Sequence, residues 1–348
     1  MKLKFLFSLL AMVMALSACK KSNVMPTPEP EPPITTPYVP DNSFKIVAYM
    51  PSYRDPNTVA DAKYKMITHL FYAFLNPSAT ADGSFQALAN QPRFLALQQK
   101  AKANNVKFGI SIGITSGLTE ATFAAIAASP TARANFVKNV VDFANTNNLD
   151  GVDMDWEYPR TNGGNPNKDF TALMKALSTE LHKANKFLSA AITPAVYTST
   201  NKDAIEPEVY NYVDFFNIMQ YDGAGYDTAE PLNHASMKMT DASLNVWLTT
   251  KGMPKEKAIL GMPLYGKDNA GASLGYRDIE SSGADVNLNV ATVGGKTYGY
   301  NGIPLIKAKT QKAKERCNGI MFWEFSHDTN NDKSLIKAAN DQLGRAYQ

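Results

Sequence analysis

The sequence predicts an α/β fold, a (β/α)8 barrel, on three observations. Eight short apolar runs recur between residues 45 and 325, and amphipathic segments separate most of them. The runs are β-branched or aromatic and apolar almost throughout, as strands buried on both faces are. Polar and aromatic side chains gather where the runs end: Tyr49, Phe74, Ser111, Glu157, Thr193, Gln220 to Asp222, Tyr265 and Trp323-Glu324. In such barrels that C-terminal edge carries the functional groups. The starts of the runs read as plainer. An open doubly wound sheet is the runner-up, but no glycine-rich phosphate loop follows the first run.

In chain order, the strands are expected at 45–50, 66–74, 107–112, 151–156, 188–193, 213–220, 258–264 and 319–325. Apolar spacing of three and four places helices at 94–104, 131–146, 168–186, 236–250 and 304–316. Asn167, just ahead of the third of these, suits an N-cap. No fixed-period repeat exists beyond this alternation.

Ahead of the barrel, Lys2 and Lys4 precede an apolar run, Phe5 to Leu16, too short for an ordinary transmembrane helix. It ends in Leu16-Ser17-Ala18-Cys19, which resembles a bacterial lipobox. Residues 1–18 are therefore expected to be a lipoprotein signal peptide. Cys19 is the expected lipid anchor, holding an exported product on a bacterial membrane, either the outer membrane or the cell surface. A plain signal peptide cut near Ala18 is the alternative. Lipidation of Cys19 leaves Cys317, the second of two cysteines, without an internal disulfide partner. Residues 19–41 hold seven prolines and read as an extended tether. Residues 42–348 are assigned to the barrel.

With 348 residues, 44% of them hydrophobic, the chain can fill a large core. A net charge of +3 gives no footprint for nucleic acid and suits a neutral substrate better than a polyanion. His69, His182, His234 and His327 lack metal-binding spacing, so neither metal nor cofactor is called for. A monomer is expected.

The most unusual stretch runs from Asp150 to Pro159. Strand side chains alternate, so Asp153, Asp155 and Glu157 share one face. Three acids packed together on an apolar strand repel one another and lose hydration. Asp153 is the deepest, and its apolar neighbours are expected to keep it protonated. Asp155 can exchange a proton with either neighbour. Glu157, nearest the mouth, suits a general acid for a leaving oxygen. Asp150 has the opposite parity and is assigned a structural role. A calcium loop would need a late glutamate, but position twelve from Asp150 is Thr161 and from Asp153 is Gly164. A merely solvated acidic strand is disfavoured, because Val152, Met154 and Trp156 alternate with the acids.

Asp150-Gly151-Val152-Asp153-Met154-Asp155-Trp156-Glu157-Tyr158-Pro159 resembles the fourth-strand signature of glycoside hydrolase family 18 chitinases. Further stretches resemble the same family in order. They are Ala48-Tyr49, Thr68-His69-Leu70 to Tyr72-Ala73-Phe74, Ser111-Ile112-Gly113, Met219-Gln220-Tyr221-Asp222, Gly261 to Gly266, and Gly319 to Glu324. The resemblance spans roughly residues 44–340. It implies a TIM barrel that hydrolyses β-1,4 bonds between N-acetylglucosamine units of chitin or chitooligosaccharides.

The implied mechanism is retaining and substrate-assisted, an exception to the usual pair of carboxylates. Glu157 would protonate the leaving oxygen and later activate water. Asp155 would orient the acetamide, Asp153 would hold or trade the proton, and Tyr221 would hydrogen-bond the acetamide carbonyl. Substrate contacts are implied for Tyr49, Phe74, Gly113, Trp156, Tyr158, Met219, Gln220, Asp222 and Trp323. Trp323 would floor the sugar pocket, since an indole stacks on the apolar face of a pyranose.

Two departures stand out. Ile114 occupies the place of the family's usual second glycine. Residues 267–302 are short for the large insertion of some members, although Tyr276-Arg277-Asp278-Ile279 is similar to its start. At most a small insertion after strand seven is expected, with a shallow, open cleft, an endo or non-processive habit and no separate carbohydrate-binding module. Two other readings stay open. One is an endo-β-N-acetylglucosaminidase on N-glycans, against which Trp156-Glu157-Tyr158-Pro159 speaks. The other is a non-catalytic glycan-binding lipoprotein.

Overall fold

The computed structural model describes residues 37–115 and 118–347. The expected signal peptide, lipid anchor at Cys19 and tether as far as residue 36 lie outside the described residues. Residues 37–41 have no helix or strand.

Strands β1 (Lys45–Pro51), β2 (His69–Leu75), β3 (Lys107–Ile112), β4 (Gly151–Met154), β5 (Phe187–Ile192), β6 (Phe215–Ile218) and β7 (Ala258–Pro263) run parallel in sequence order. A small insertion follows β7. Its strands β8 (Tyr265–Asp268), β9 (Ser273–Gly275), β10 (Val290–Val293) and β11 (Lys296–Gly299) form an antiparallel sheet in the order β10-β11-β8-β9. Strand β12 (Gly319–Trp323) then pairs with both β7 and β1 and closes the eight-stranded barrel.

Outside the strands lie α1 (Asp61–Tyr64), α2 (Gln91–Ala103), α3 (Glu120–Ala128), α4 (Pro130–Thr146), α5 (Lys168–Lys183), α6 (Met237–Leu244), α7 (Tyr276–Ser281), α8 (Ile303–Arg316) and α9 (Leu335–Leu343). Between β5 and β6 the chain makes only short 3-10 turns, at Asn201–Ala204 and Pro207–Asn211. Asn167 caps α5 by accepting the Phe170 amide at 2.9 Å. Helix α2 starts at Gln91, three residues earlier than its apolar spacing suggests, because Pro92 suits a first turn. The stretch 236–250 divides into α6 and a π-helical turn, Asn245–Thr250. Cys317 is a buried free cysteine whose backbone N–H closes α8 on the Ala313 carbonyl at 2.8 Å.

Alternation along each strand fills two cores. Ile46, Ala48 and Met50 of β1 face the helices, whereas Val47 and Tyr49 face the barrel axis beside Phe71, Phe187, Phe215 and Met321. Both faces are buried, which is why the runs are apolar almost throughout.

The starts of the strands are less plain than the sequence suggests. Lys45 Nζ donates to the Asp41 carbonyl at 2.6 Å and the Ser43 carbonyl at 3.1 Å. Burial pushes His69 down to about 3, so this ring is neutral. Asp150 Oδ2 accepts the Phe108 amide at 2.8 Å, a structural job at the start of β4.

Candidate active site

Register assembles the bottom of the site. Ser111 of β3, Asp153 of β4 and Ser189 of β5 are paired at one level, so all three point to the barrel axis. Ser189 Oγ donates to Asp153 Oδ1 at 2.6 Å, and Ser111 Oγ to Oδ2 at 2.9 Å. Tyr49 OH donates to Oδ2 at 2.8 Å, and Asn217 Nδ2 to Oδ1 at 3.2 Å. Asn217 Nδ2 also reaches Tyr49 OH at 2.8 Å. The expectation that Asp153 sits among apolar groups needs correction, because Val152 and Met154 face the helices and four polar groups surround the carboxyl. Burial still raises its pKa, against the opposing pull of Ser189, Tyr49, Ser111 and Asn217.

Asp155 continues the ladder one residue past β4, its amide donating to the Ile112 carbonyl at 2.9 Å. Its carboxyl stands above Asp153. Oδ1 is buried and has no hydrogen-bond partner among the described residues. Burial, then the nearby charges of Glu157 and Asp153, push its pKa well above the ordinary carboxyl range.

Glu157 stands at the mouth and meets solvent, but inside a concavity of about 480 Å³ that strips part of its hydration. That burial raises its pKa, the Tyr158 hydroxyl opposes the rise, and the charge of Asp222 adds to it. Three carboxyls stacked in depth thus favour holding protons, as one coupled group.

The structure brings Phe74, Asp155, Glu157, Tyr158, Met219, Tyr221, Asp222 and Trp323 to the wall of this concavity. Tyr49 and Asp153 lie beneath it, both buried. Trp323 stacks on Phe74, with ring centres 5.9 Å apart and planes at 21°. Gly113 makes room for that pair, since a Cβ there would come within 2.5 Å of the Phe74 ring. The peptide bonds Ala73–Phe74, Glu157–Tyr158 and Trp323–Glu324 are cis.

Trp156 and Gln220 do not reach the concavity, and the expectation that they contact substrate does not hold. Each has the opposite parity to its site neighbours. Trp156 packs between Phe123 and Phe170 in the helix layer, and Gln220 is buried against Thr240.

Five further residues line it: Ile114, Leu118, Thr119, Glu120 and Tyr265. Ile114 is the residue that replaces the family's second glycine, Tyr265 lies within the Gly261 to Gly266 stretch, and Leu118 and Thr119 belong to no motif. Glu120 enters from the first turn of α3, and nothing in its spacing marks it.

Asp222 takes a left-handed backbone conformation, φ +64°. Its Oδ1 accepts from Tyr265 OH at 2.6 Å and Lys267 Nζ at 2.8 Å. Against the upward push of burial, His234, Lys267 and Tyr265 hold this carboxyl well below the ordinary range. Tyr221 is the reverse case. Burial, then Tyr265 and Asp155, keep its phenol protonated, so it is a donor. The concavity thus offers an acid of raised pKa at the mouth, an unpartnered carboxyl oxygen below it, a phenol donor and an indole floor. One ligand group carrying an N–H and a carbonyl could engage Asp155 and Tyr221 together.

The model of glycosyl hydrolases family 18 matches residues 45–328, from β1 to just beyond β12. A class V chitinase of Arabidopsis thaliana is 27% identical over 331 residues, covering 81% of this chain and 85% of that protein. The crystal structure of a family 18 chitinase from Cycas revoluta in complex with (GlcNAc)3 matches with a TM-score of 0.73 at 23% identity, covering 86% of this chain and 100% of that one. A chitinase-like agglutinin from Robinia pseudoacacia matches with a TM-score of 0.71 at 24% identity, covering 86% and 99%. At these identities the two structures speak for the fold alone. The family match extends over the whole barrel, and the chain belongs to glycoside hydrolase family 18.

Proposed function

We propose that the protein hydrolyses β-1,4 bonds between N-acetylglucosamine units of chitin or chitooligosaccharides with retention of configuration. The observation that carries this reading is the buried, unpartnered Oδ1 of Asp155, set between Glu157 and the Tyr221 phenol at the barrel mouth. An unpaired buried carboxyl oxygen costs stability, and the N–H of a substrate acetamide satisfies it. The names of the relatives, chitinases of plants among them, agree with that substrate.

In the first step the acetamide oxygen bonds to the anomeric carbon while the bond to the leaving oxygen breaks. Glu157 gives its proton to that oxygen. The positive oxazolinium ion lies against Asp155, and Tyr221 donates to its oxygen. In the second step Glu157, now a carboxylate, takes a proton from water. The water oxygen bonds to the anomeric carbon, the oxazolinium ring opens, and the acetamide is restored. Two inversions give retention, and no cofactor is needed.

Ile114 lines the concavity, where its branched side chain takes space that a glycine would leave open. The insertion sheet β8 to β11 is small, which fits an open cleft and soluble chains more than crystalline polymer. Anchoring through a lipidated Cys19 to a bacterial membrane, and a monomeric state, belong to the same proposal. The support for the anchor is the sequence of residues 1–19.

A second reading follows from the agglutinin neighbour: a barrel of this fold that binds glycans without cutting them. The joint presence of Glu157, Asp155 and Tyr221 in one concavity speaks for catalysis. Labelled chitooligosaccharides and an N-glycosylated protein, each incubated with the protein, separate the readings. Shorter chitooligosaccharides are expected, with the N-glycan left on its protein. Binding without any product would establish the second reading, and release of the N-glycan alone would establish an endo-β-N-acetylglucosaminidase.

A further inference from the structure

Behind the site, Gln220 sits in the chain between two residues of the concavity, Met219 and Tyr221, and points the other way. Its carboxamide meets a fully buried lysine, Lys309 of α8. The three protons of that ammonium find three uncharged oxygens: Asn301 Oδ1 at 2.7 Å, Gln220 Oε1 at 3.1 Å and the Ala235 carbonyl. Asn301 Nδ2 in turn donates to Asn233 Oδ1 at 3.0 Å and the Ala235 carbonyl at 3.2 Å. The cluster therefore ties α8 and the turn ahead of it to the loop that enters α6.

Gln220 is held weakly otherwise. Its Nε2 is buried without a partner among the described residues, so the carboxamide is anchored through its oxygen. Thr240 Oγ1 lies 2.7 Å from that oxygen and 3.1 Å from the Ser236 carbonyl, with one proton for two acceptors. Lys309 is the donor that Gln220 cannot replace.

The arrangement is costly. An ammonium buried among uncharged groups loses hydration that no counter-ion returns. Burial pushes the Lys309 pKa down to about 7, and the field of Glu230 offsets only part of this. Methionine would fill the same space without that cost.

We infer that Lys309 is a positioning residue, locking Gln220 and thereby fixing the chain just past β6 from which Tyr221 and Asp222 enter the concavity. This rests on the role proposed above for Tyr221. Above its pKa the amine keeps two protons for three oxygens, and its lone pair faces the third. The hold on Gln220 then weakens. Glu230 is the carboxylate whose field bears on this change, and the groups that the amine bonds are the uncharged Gln220, Asn301 and Ala235.

The test compares wild type, Lys309→Met and Thr240→Val. Lys309→Met is expected to lower kcat/KM on chitooligosaccharides by about tenfold to a hundredfold, mostly through kcat, as for a small misplacement of a binding group. The alkaline limb of the wild-type pH profile should carry a contribution from Lys309 that Lys309→Met lacks. Thr240→Val should lower kcat/KM in the same direction by less. Amide exchange over residues 219–223, which needs no substrate, should quicken in both variants. Wild-type kinetics and exchange in Lys309→Met would overturn the inference. If that variant does not fold, Gln220→Leu removes the same hydrogen bond from its other end, and wild-type kinetics and exchange in Gln220→Leu would overturn the inference. A wild type without turnover would instead contradict the proposed function, and the exchange measurement would still judge Lys309.

Discussion

Glu157→Gln is expected to lower turnover of chitooligosaccharides by about 10³-fold, the usual scale for losing a positioned general acid. Affinity should stay close to wild type, because the amide keeps the size and the hydrogen-bonding edge of the carboxyl. The reason for so large an effect is the depth order of the three acids. Asp153 lies beneath the concavity and Asp155 is nearly buried low on its wall, so Glu157, the exposed member at the mouth, is the one placed to hand a proton to a leaving oxygen. Its raised pKa keeps the acid form present to higher pH than for an ordinary glutamate, and activity should fall as the pH climbs through that pKa. Kinetics on a labelled tetrasaccharide, with binding measured by calorimetry, check both halves. Turnover within tenfold of wild type would remove Glu157 from the catalytic role.

Asp155→Asn is expected to lower kcat by about 10²- to 10³-fold, the scale of losing one preorganised electrostatic partner of the transition state. The uncharged amide can no longer take up negative charge opposite the oxazolinium ion. The same change should make the fold more stable at mildly alkaline pH. The sign follows from linkage. The folded-state pKa of Asp155 lies above its unfolded value, so the folded state binds more protons between the two. Stability from this group is complete below the unfolded pKa and is lost as the pH rises through the folded pKa. Asparagine has no proton to lose, so its advantage in Tm should grow toward alkaline pH and shrink in acid. Thermal melts across that range, beside steady-state kinetics, test the pair of effects. A variant with lower Tm than wild type at every pH would contradict the pKa order, and one with wild-type kcat would contradict the role.

The acids of β4 were legible because a strand has a period of two, and Asp153, Asp155 and Glu157 obey it. The same period separates Trp156 and Gln220 from the site. Grouping those two with their neighbours followed the motifs, where parity alone put them on the other face. Ser189 and Asn217, which bond Asp153, left a fainter sign: each is a lone polar residue inside an apolar run. What joins them to Asp153 is the register of β4, β5 and β6, and parallel strands connected through long crossovers do not write their register into local sequence. Glu120 reaches the cleft through the placement of α3 after a loop, which is a tertiary outcome. Lys309 gave no sign at all, since a lysine on a predicted helix normally reads as solvated. The split of 236–250 into α6 and a π-helical turn was likewise hidden, because both segments carry helical spacing.

The central claim is that the substrate's own acetamide attacks first and Glu157 serves both steps. Proton NMR of a chitotetraose digest, recorded before mutarotation equilibrates the products, reads this directly. The new reducing end is expected to appear first as the β-anomer. A first product in the α configuration would mean direct attack by water, and would contradict the claim.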